Sequence, residues 1–240
     1  MGVQAADAAE AQRTSHQGQQ VCAVPSERST DLSLCVSSMA VAVSPDGHWF
    51  ATYSGVRDDD PRRDIINSVQ VWDVGTGMHV RTLKARTRCQ FWMNGLHNLA
   101  WSPDGSMLAA VSVGGRTRLW DVATSTTLRV FADLYSFELA TSSVAWSPDG
   151  AMLCKGSWLK GHGVVRNVAT GATVHVLKGK TKRVDFVAWS CEGVVATGSK
   201  DGTLHLWEAS TGAPGHVLQG HDACYSLEFS PDVSVLASCG

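Results

Sequence analysis

The chain has 240 residues, 44% of them hydrophobic, with 20 basic and 22 acidic side chains. This composition predicts a globular protein, and the balanced charge argues against nucleic acid or a membrane surface as a partner. The seven cysteines form no CxxC pair, so we expect buried, reduced thiols rather than a zinc knuckle or a disulfide framework. No apolar run approaches a membrane helix in length, which favours a cytoplasmic or nuclear protein.

Residues 1–38 are predicted to form a flexible N-terminal segment. The first half of this segment is rich in Ala and Gln and has no aromatic residue, so it offers too little apolar surface to offset the entropy lost on ordering. The second half is more apolar, and one strand is expected near residues 21–24.

From residue 39 onward, a turn signature that reads Ser-Pro-Asp-Gly or a close variant recurs along the chain. Its Pro presets φ and its Asp-Gly pair closes a tight turn, so each copy predicts a hairpin between two strands. The signatures begin at Ser44, Ser102, Ser147, Ser190 and Ser230, separated by 58, 45, 43 and 40 residues. A bulky apolar residue precedes each signature and is predicted to pack between units: Val43, Trp101, Trp146, Trp189 and Phe229.

The clearest unit spans residues 186–221 and contains four short apolar runs at 187–189, 194–197, 204–207 and 216–218. Turn residues separate the runs, which predicts four strands in one antiparallel meander. The third run ends in Trp-Asp or Trp-Glu in three units, and a Thr-Gly turn or a variant of it follows the third run. One such meander is too small to bury both of its faces, so neighbouring units are expected to stack.

These motifs, with the Gly220-His221 pair and a spacing of about 40 to 45 residues, resemble the WD40 repeats of β-propellers. The resemblance implies an all-β, WD40-type propeller with about four and a half four-stranded blades at 39–83, 97–131, 143–177, 186–218 and, in part, 225–240.

The ring is therefore expected to be incomplete or closed by other means. A truncated sequence is the favoured explanation. Closure with a second chain and a five-bladed ring completed by strands from residues 20–36 stay open. An open blade edge would also allow self-association.

The same resemblance implies a buried hydrogen-bond set that holds each blade together. Carried over to this chain, the set comprises Ser199, Asp201 and Trp207 in the fourth unit, where Lys180 stands at the usual His position, and His221 in the fifth unit. We interpret these residues as structural rather than catalytic, because the set satisfies buried polar groups. No P-loop, HExxH or GxSxG motif occurs, so we predict neither an enzyme nor a bound cofactor or metal.

Insertions set the first three units apart. The second-strand Ser and the third-strand Trp position lie 18 residues apart in unit one, against 8 or 9 elsewhere. The resemblance places such loops on one rim, the top face, where Arg and aromatic residues dominate binding sites. The candidate partner-binding residues are Arg57, Arg62, Arg63, Arg86, Arg88, Phe91, Trp92, Tyr135, Phe137 and Trp158. A competing interpretation is that the aromatics cover their own blades and that residues 58–64 form a self-neutralising charge cluster.

The resulting functional hypothesis is a non-catalytic protein–protein interaction scaffold that binds a peptide or protein through its top-face loops. The alternative is the regulatory or sensor propeller of a larger multidomain enzyme or signalling ATPase. Fold alone does not decide between them.

Overall fold

The computed structural model describes residues 40–55, 65–87, 96–112, 115–131, 143–157, 161–179, 183–220 and 222–240. Within these ranges the secondary structure consists of β-strands, without a helix. The first two sheets contain β1 (Val41–Val43), β2 (Trp49–Gly55), β3 (Ile65–Asp73), β4 (His79–Thr87), β5 (Leu96–Trp101), β6 (Met107–Ser112), β7 (Thr117–Asp121) and β8 (Thr126–Phe131). The rest are β9 (Val144–Trp146), β10 (Met152–Gly156), β11 (His162–Asn167), β12 (Thr173–Lys178), β13 (Phe186–Trp189), β14 (Val194–Gly198), β15 (Thr203–Glu208), β16 (Pro214–Gln219), β17 (Ser226–Phe229) and β18 (Leu236–Cys239).

The strands form four four-stranded sheets, numbered here one to four in chain order, and a two-stranded sheet five. Strands that follow one another along the chain pair antiparallel within each sheet. The first-to-second and third-to-fourth connections therefore leave from one end of a sheet, the base, and the other connections leave from the opposite end, the top. The predicted all-β fold is confirmed, and each four-stranded sheet has the form of a propeller blade. Among the described strands, none of sheet one pairs with sheet five.

The Ser-Pro-Asp-Gly turns at the base are closed by the hydroxyl of their Ser. In sheet three the Ser147 hydroxyl donates to Asp149 Oδ1 at 2.6 Å and accepts the backbone N–H of Met152 at 2.8 Å. Gly150 takes a φ of +68°, which a residue with a Cβ adopts only at a cost. The hydroxyl of Ser147 is the main reason that the pKa of Asp149 lies below its ordinary value.

Neighbouring sheets pack face to face through apolar side chains and are joined by Trp side chains on the first strands. Val71 and Leu83 of sheet one are buried in the same cluster as Leu108 of sheet two. The Trp101 indole donates to the carbonyl of Ala42 at 3.1 Å. In the same way Trp146 donates to Ala100 at 3.0 Å. The predicted packing of these tryptophans between units is therefore confirmed.

The fourth strands make a second set of contacts between sheets, at the base. Arg129 of sheet two donates to the carbonyl oxygens of the third-to-fourth turn in sheet three, among them Thr170 at 3.4 Å. One sheet later His175 Nε2 bonds to the Ser210 carbonyl at 3.0 Å. The turn that receives His175 is close-fitting, because a Cβ built on Gly212 would lie 2.9 Å from His175 Cγ.

Sheet one is longer at the top than the other sheets. Its third and fourth strands have nine residues each, whereas those of the other four-stranded sheets have five or six. The additional pairs run from Ser68↔Lys84 to Ile65↔Thr87. The spacing of the repeats predicts loop insertions at these residues, including Arg86, and that prediction is wrong for 65–68 and 84–87, which lie in β3 and β4. The repeat pattern does not reveal the extension, because these residues lie beyond the part of the strands that all the repeats share.

Candidate functional site

The top of the first two sheets is held together by a contact between β2 and β5. Tyr53 packs against the cluster that contains Leu96, and the Leu96 backbone forms a hydrogen bond with the Tyr53 hydroxyl. Burial raises the pKa of Tyr53 and lowers that of the adjacent His97. Because β2 ends at Gly55 and β5 begins at Leu96, the connections 56–64 and 88–95 both attach to the sheets beside this contact.

Two more contacts at the top join sheet two to sheet three. Asn98 of β5 accepts the Val144 backbone N–H, 3.3 Å from its Oδ1, at the start of β9. The Lys155 ammonium donates to the carbonyl of Gly115, at the turn between β6 and β7, at 3.1 Å. The strand ends from which the insertions of units one to three leave are thus fixed to one another.

The predicted partner-binding residues fall almost entirely outside the described residues. Arg86 lies in β4, opposite Ile66 of β3. The other nine lie between described strands, in four connections that all leave from the top: Arg57, Arg62 and Arg63 follow β2, Arg88, Phe91 and Trp92 follow β4, Tyr135 and Phe137 follow β8, and Trp158 follows β10. We call these ten residues the rim.

The top of sheet four carries charged and aromatic side chains that the sequence analysis did not single out. Arg183 forms a two-nitrogen ion pair with the buried carboxylate of Asp185, with a shortest N–O distance of 2.6 Å. Asp185 also accepts the Lys200 backbone N–H at 3.3 Å. The Lys200 ammonium lies 5.7 Å from the ring centroid of Tyr225, an exposed residue directly before β17. Residues 183–185 and 200 belong to no insertion, so the spacing of the repeats did not mark them as candidate binding residues.

The hydrogen bonds of sheet four differ from the set that the sequence resemblance implied. The Trp207 indole donates to Thr197 Oγ1 at 2.9 Å, not to Ser199. The Ser199 hydroxyl instead accepts the backbone N–H of Asp201 at 3.3 Å, and His221 lies outside the described residues. Sheet one has the same arrangement, since its third-strand Trp72 donates to Thr52 at 2.9 Å.

The choice of Thr197 as the indole's partner follows from strand periodicity once the register of β14 and β15 is known. Side chains two apart on a strand share a face, and the register pairs Val195 with Trp207. Thr197 therefore lies on the same face as the indole, one step nearer than Ser199.

Groups with catalytic potential are sparse in the described part of the chain. No cluster of three or more His, Cys, Asp or Glu side chains there could hold a metal ion. Cys154 and Cys224 are buried as expected, whereas Cys191 and Cys239 are exposed, contrary to the sequence-based expectation. Burial raises the pKa of Cys154 to about 12, so this thiol does not ionise near neutral pH. A helix of sufficient length and apolarity to cross a membrane is absent from these residues too.

The repeat seen in the sheets has a counterpart in a known family. The family described as "WD domain, G-beta repeat" matches residues 86–121, 171–208 and 212–240. The chain contains WD40 repeats. The first match starts near the end of β4 and the second just before β12, and they end with β7 and β15, the third strands of the next sheets. The matched WD40 units therefore do not coincide with the sheets.

A curated relative aligns with part of the chain. The chain is 42% identical over 77 residues to the "Probable cytosolic iron-sulfur protein assembly protein 1" of Malassezia globosa (strain ATCC MYA-4612 / CBS 7966), with 26% of this chain aligned. The alignment covers 22% of the length of that relative. WD40 repeats are typical of proteins that hold other proteins together, and the name of the relative describes an assembly protein.

Proposed function

We propose that this chain is a non-catalytic interaction scaffold that holds a protein or peptide partner on the rim. The observation that carries the proposal is the contact of Tyr53 with Leu96, beside which two of the insertions attach. Four connections that leave the top of sheets one to three contain the rim residues other than Arg86. The connections after β2 and β4 hold six Arg and aromatic residues, and the connections after β8 and β10 hold three aromatic residues. Such residues bury large areas at low entropic cost and dominate binding energies.

The contacts that fix the strand ends at the top support this role. Loops bind best when a scaffold fixes their ends, and the ends here are joined by Asn98 to Val144 and by Lys155 to Gly115. The extension of β3 and β4 places the backbone of Arg86 beyond the shared part of the repeat, within an extension of about four residues, or roughly 13 Å at strand geometry.

The relative supports the class of function and the compartment. Its name describes an assembly protein of the cytosol, which agrees with a scaffold that works in the cytoplasm or nucleus. The shared 77 residues include no active-site motif of the kinds sought in the sequence. A scaffold needs surface and rigidity rather than reactive groups, and both are properties of stacked sheets.

The proposal is tested by quantitative affinity purification from cells that express tagged full-length chain. We expect the variant Arg62→Ala/Arg63→Ala/Trp92→Ala to recover its specific partners at least about fivefold less well, since hot-spot truncations cost more than 1 kcal/mol each. The matched control changes three exposed residues away from the top, His48→Ala/Met78→Ala/Leu128→Ala. Equal loss in both variants, or no loss in the first, contradicts a binding site on the rim.

A further inference from the structure

A cleft lies at the base between sheets two and three. It has a volume of about 340 Å³ and is lined by Pro103, Asp104, Met107, Pro148, Asp149 and Gly150. The turns of the two sheets meet here, because a Cβ built on Gly150 would lie 3.7 Å from Cδ of Pro103. Asp104 and Asp149 are exposed, so the cleft is open to solvent. It combines apolar walls with two carboxylates, at the end of the sheets opposite to the rim.

Hydroxyl groups hold the two carboxylates of the cleft in place and keep them charged. The Ser102 hydroxyl donates to Asp104 Oδ1, as the Ser147 hydroxyl does to Asp149 Oδ1. These bonds are the main cause that lowers the pKa of each carboxyl below its ordinary value, so both groups are ionised at neutral pH. The Ser147 hydroxyl and the Ala151 N–H both donate to Oδ1 of Asp149, which leaves its Oδ2 able to accept from a donor outside the chain.

The charge of the cleft is not neutralised by the described part of the chain, where no cationic side chain forms an ion pair with either carboxylate. The equivalent Asp46 of sheet one has such a partner in His48, whose Nδ1 lies 3.4 Å from its Oδ2. In sheet four, Cys191 and Glu192 stand at the Pro and Asp places of the turn. Sheets two and three therefore present two adjacent Pro-Asp turns whose negative charges a cation from outside can complement.

We propose that this cleft receives an arginine side chain presented by a partner protein. A guanidinium is planar and carries five N–H donors, so it can bridge acceptors on neighbouring turns, and its methylene groups can pack along Pro103, Pro148 and Met107. Ligand sites have volumes of roughly 300 to 1,000 Å³, so a cleft of about 340 Å³ suits one long side chain. The contact lies at the base and is independent of partner binding at the rim.

The first test titrates the full chain, labelled with nitrogen-15, with N-acetylarginine amide at low ionic strength and follows the backbone amide shifts. We expect saturable shifts at Gly105, Gly150 and Ala151 with a dissociation constant in the millimolar range, since one side chain makes few contacts. N-acetylcitrulline amide has nearly the same shape without the charge and should bind at least about fivefold more weakly. Because the cleft is open, a blocked Gly-Gly-Arg-Gly-Gly peptide should bind at least as tightly as the arginine amide.

Three results of this titration would overturn the proposal. The first is the absence of saturable shifts, and the second is an equal response to the arginine and citrulline compounds. The third is weaker binding of the peptide, which would mean that the cleft takes a free small cation rather than a side chain on a partner's main chain.

A variant tests which carboxylate carries the contact. Asp149→Asn removes the charge but keeps an oxygen that can accept the Ser147 hydroxyl, and we expect it to bind N-acetylarginine amide at least about fivefold more weakly. Asp46→Asn is the matched control, because it removes the same charge from a turn outside the cleft, and it should keep the wild-type affinity. Unchanged affinity in Asp149→Asn, or an equal loss in both variants, would contradict the proposal. If Asp149→Asn fails to fold, the citrulline comparison in the wild type still decides.

Discussion

Replacing Gly212 by Ala should destabilise the protein through the contact between sheets three and four. Gly212 lies in the turn between β15 and β16 with a φ of +70°, a conformation that costs a residue with a Cβ about 1 to 2 kcal/mol. The new Cβ would also lie 2.9 Å from Cγ and 3.1 Å from Cβ of His175. These atoms are at the root of the side chain, so rotation about χ1 cannot move both of them away.

The magnitude of the second effect follows from what must move. One possibility is that β12 shifts, which costs about 1 to 3 kcal/mol, as is typical of overpacking. The other is that His175 gives up its 3.0 Å bond to Ser210, which is worth about 1 kcal/mol. Gly77 is the matched control, because it occupies the same turn of sheet one with a φ of +68° and no atom within 4 Å of its built Cβ. We therefore expect a free-energy loss of about 2 to 5 kcal/mol for Gly212→Ala and about 1 to 2 kcal/mol for Gly77→Ala.

The assay is urea unfolding followed by Trp fluorescence, with the midpoint and slope fitted for both variants. A His175→Ala background should reduce the difference between the two glycines without abolishing it, because the contact with Cγ at 2.9 Å is lost while the contact with Cβ at 3.1 Å remains. Equal losses for Gly77→Ala and Gly212→Ala would refute the reasoning, since only backbone strain would then be acting.

Three further outcomes follow from buried groups. Trp207→Phe should cost about 1 to 2 kcal/mol in urea unfolding, because it removes the indole bond to Thr197, and combining it with Thr197→Val should add less than the sum. Alkylation followed by peptide mass spectrometry should label Cys191 in the native chain and Cys154 only after unfolding, since Cys154 is buried with a pKa of about 12. Burial lowers the pKa of His205, so the unfolded state binds its proton more readily and stability should fall as the pH decreases below about 6.5 toward the lower folded pKa.

A specific result would contradict each of these three predictions. Strict additivity of the Trp207 and Thr197 substitutions would show that the two side chains are not coupled. Native labelling of Cys154 at the rate of Cys191 would mean that sheet three opens readily. For the pH effect, His205→Gln should flatten the stability profile between about pH 5 and 7, and an unchanged profile would assign the loss to another group.

The regular part of the fold was predictable because its signals are local. The Ser-Pro-Asp-Gly turns carry both the Gly that takes a positive φ and the Ser that closes the hairpin, so Ser147 and its counterparts mark the base of every sheet. The four strands predicted in residues 186–221 are all present. Local chemistry of this kind does not depend on which sheet is adjacent.

What the sequence did not reveal depends on contacts across strands and sheets. Thr197 was passed over for Ser199 because the choice between them rests on register and not on spacing to the turn. Lys155 in β10 resembles an ordinary solvent-exposed strand residue until the Gly115 carbonyl of another sheet is placed beside it. The extended strands of sheet one were concealed for the same reason, since β3 and β4 support each other beyond the shared repeat.

The close fit of the third-to-fourth turns of sheets three and four to the preceding sheet has a consequence for how such chains can be recombined. The turn at Gly171 is shaped around Phe131 and Arg129, and the turn at Gly212 around His175. A whole sheet grafted into another position would meet a different side chain at its turn, even if its own strands were ideal. The exchangeable module is therefore the junction, from the fourth strand of one sheet through the third-to-fourth turn of the next, and crossovers placed at its borders should give hybrids that still fold.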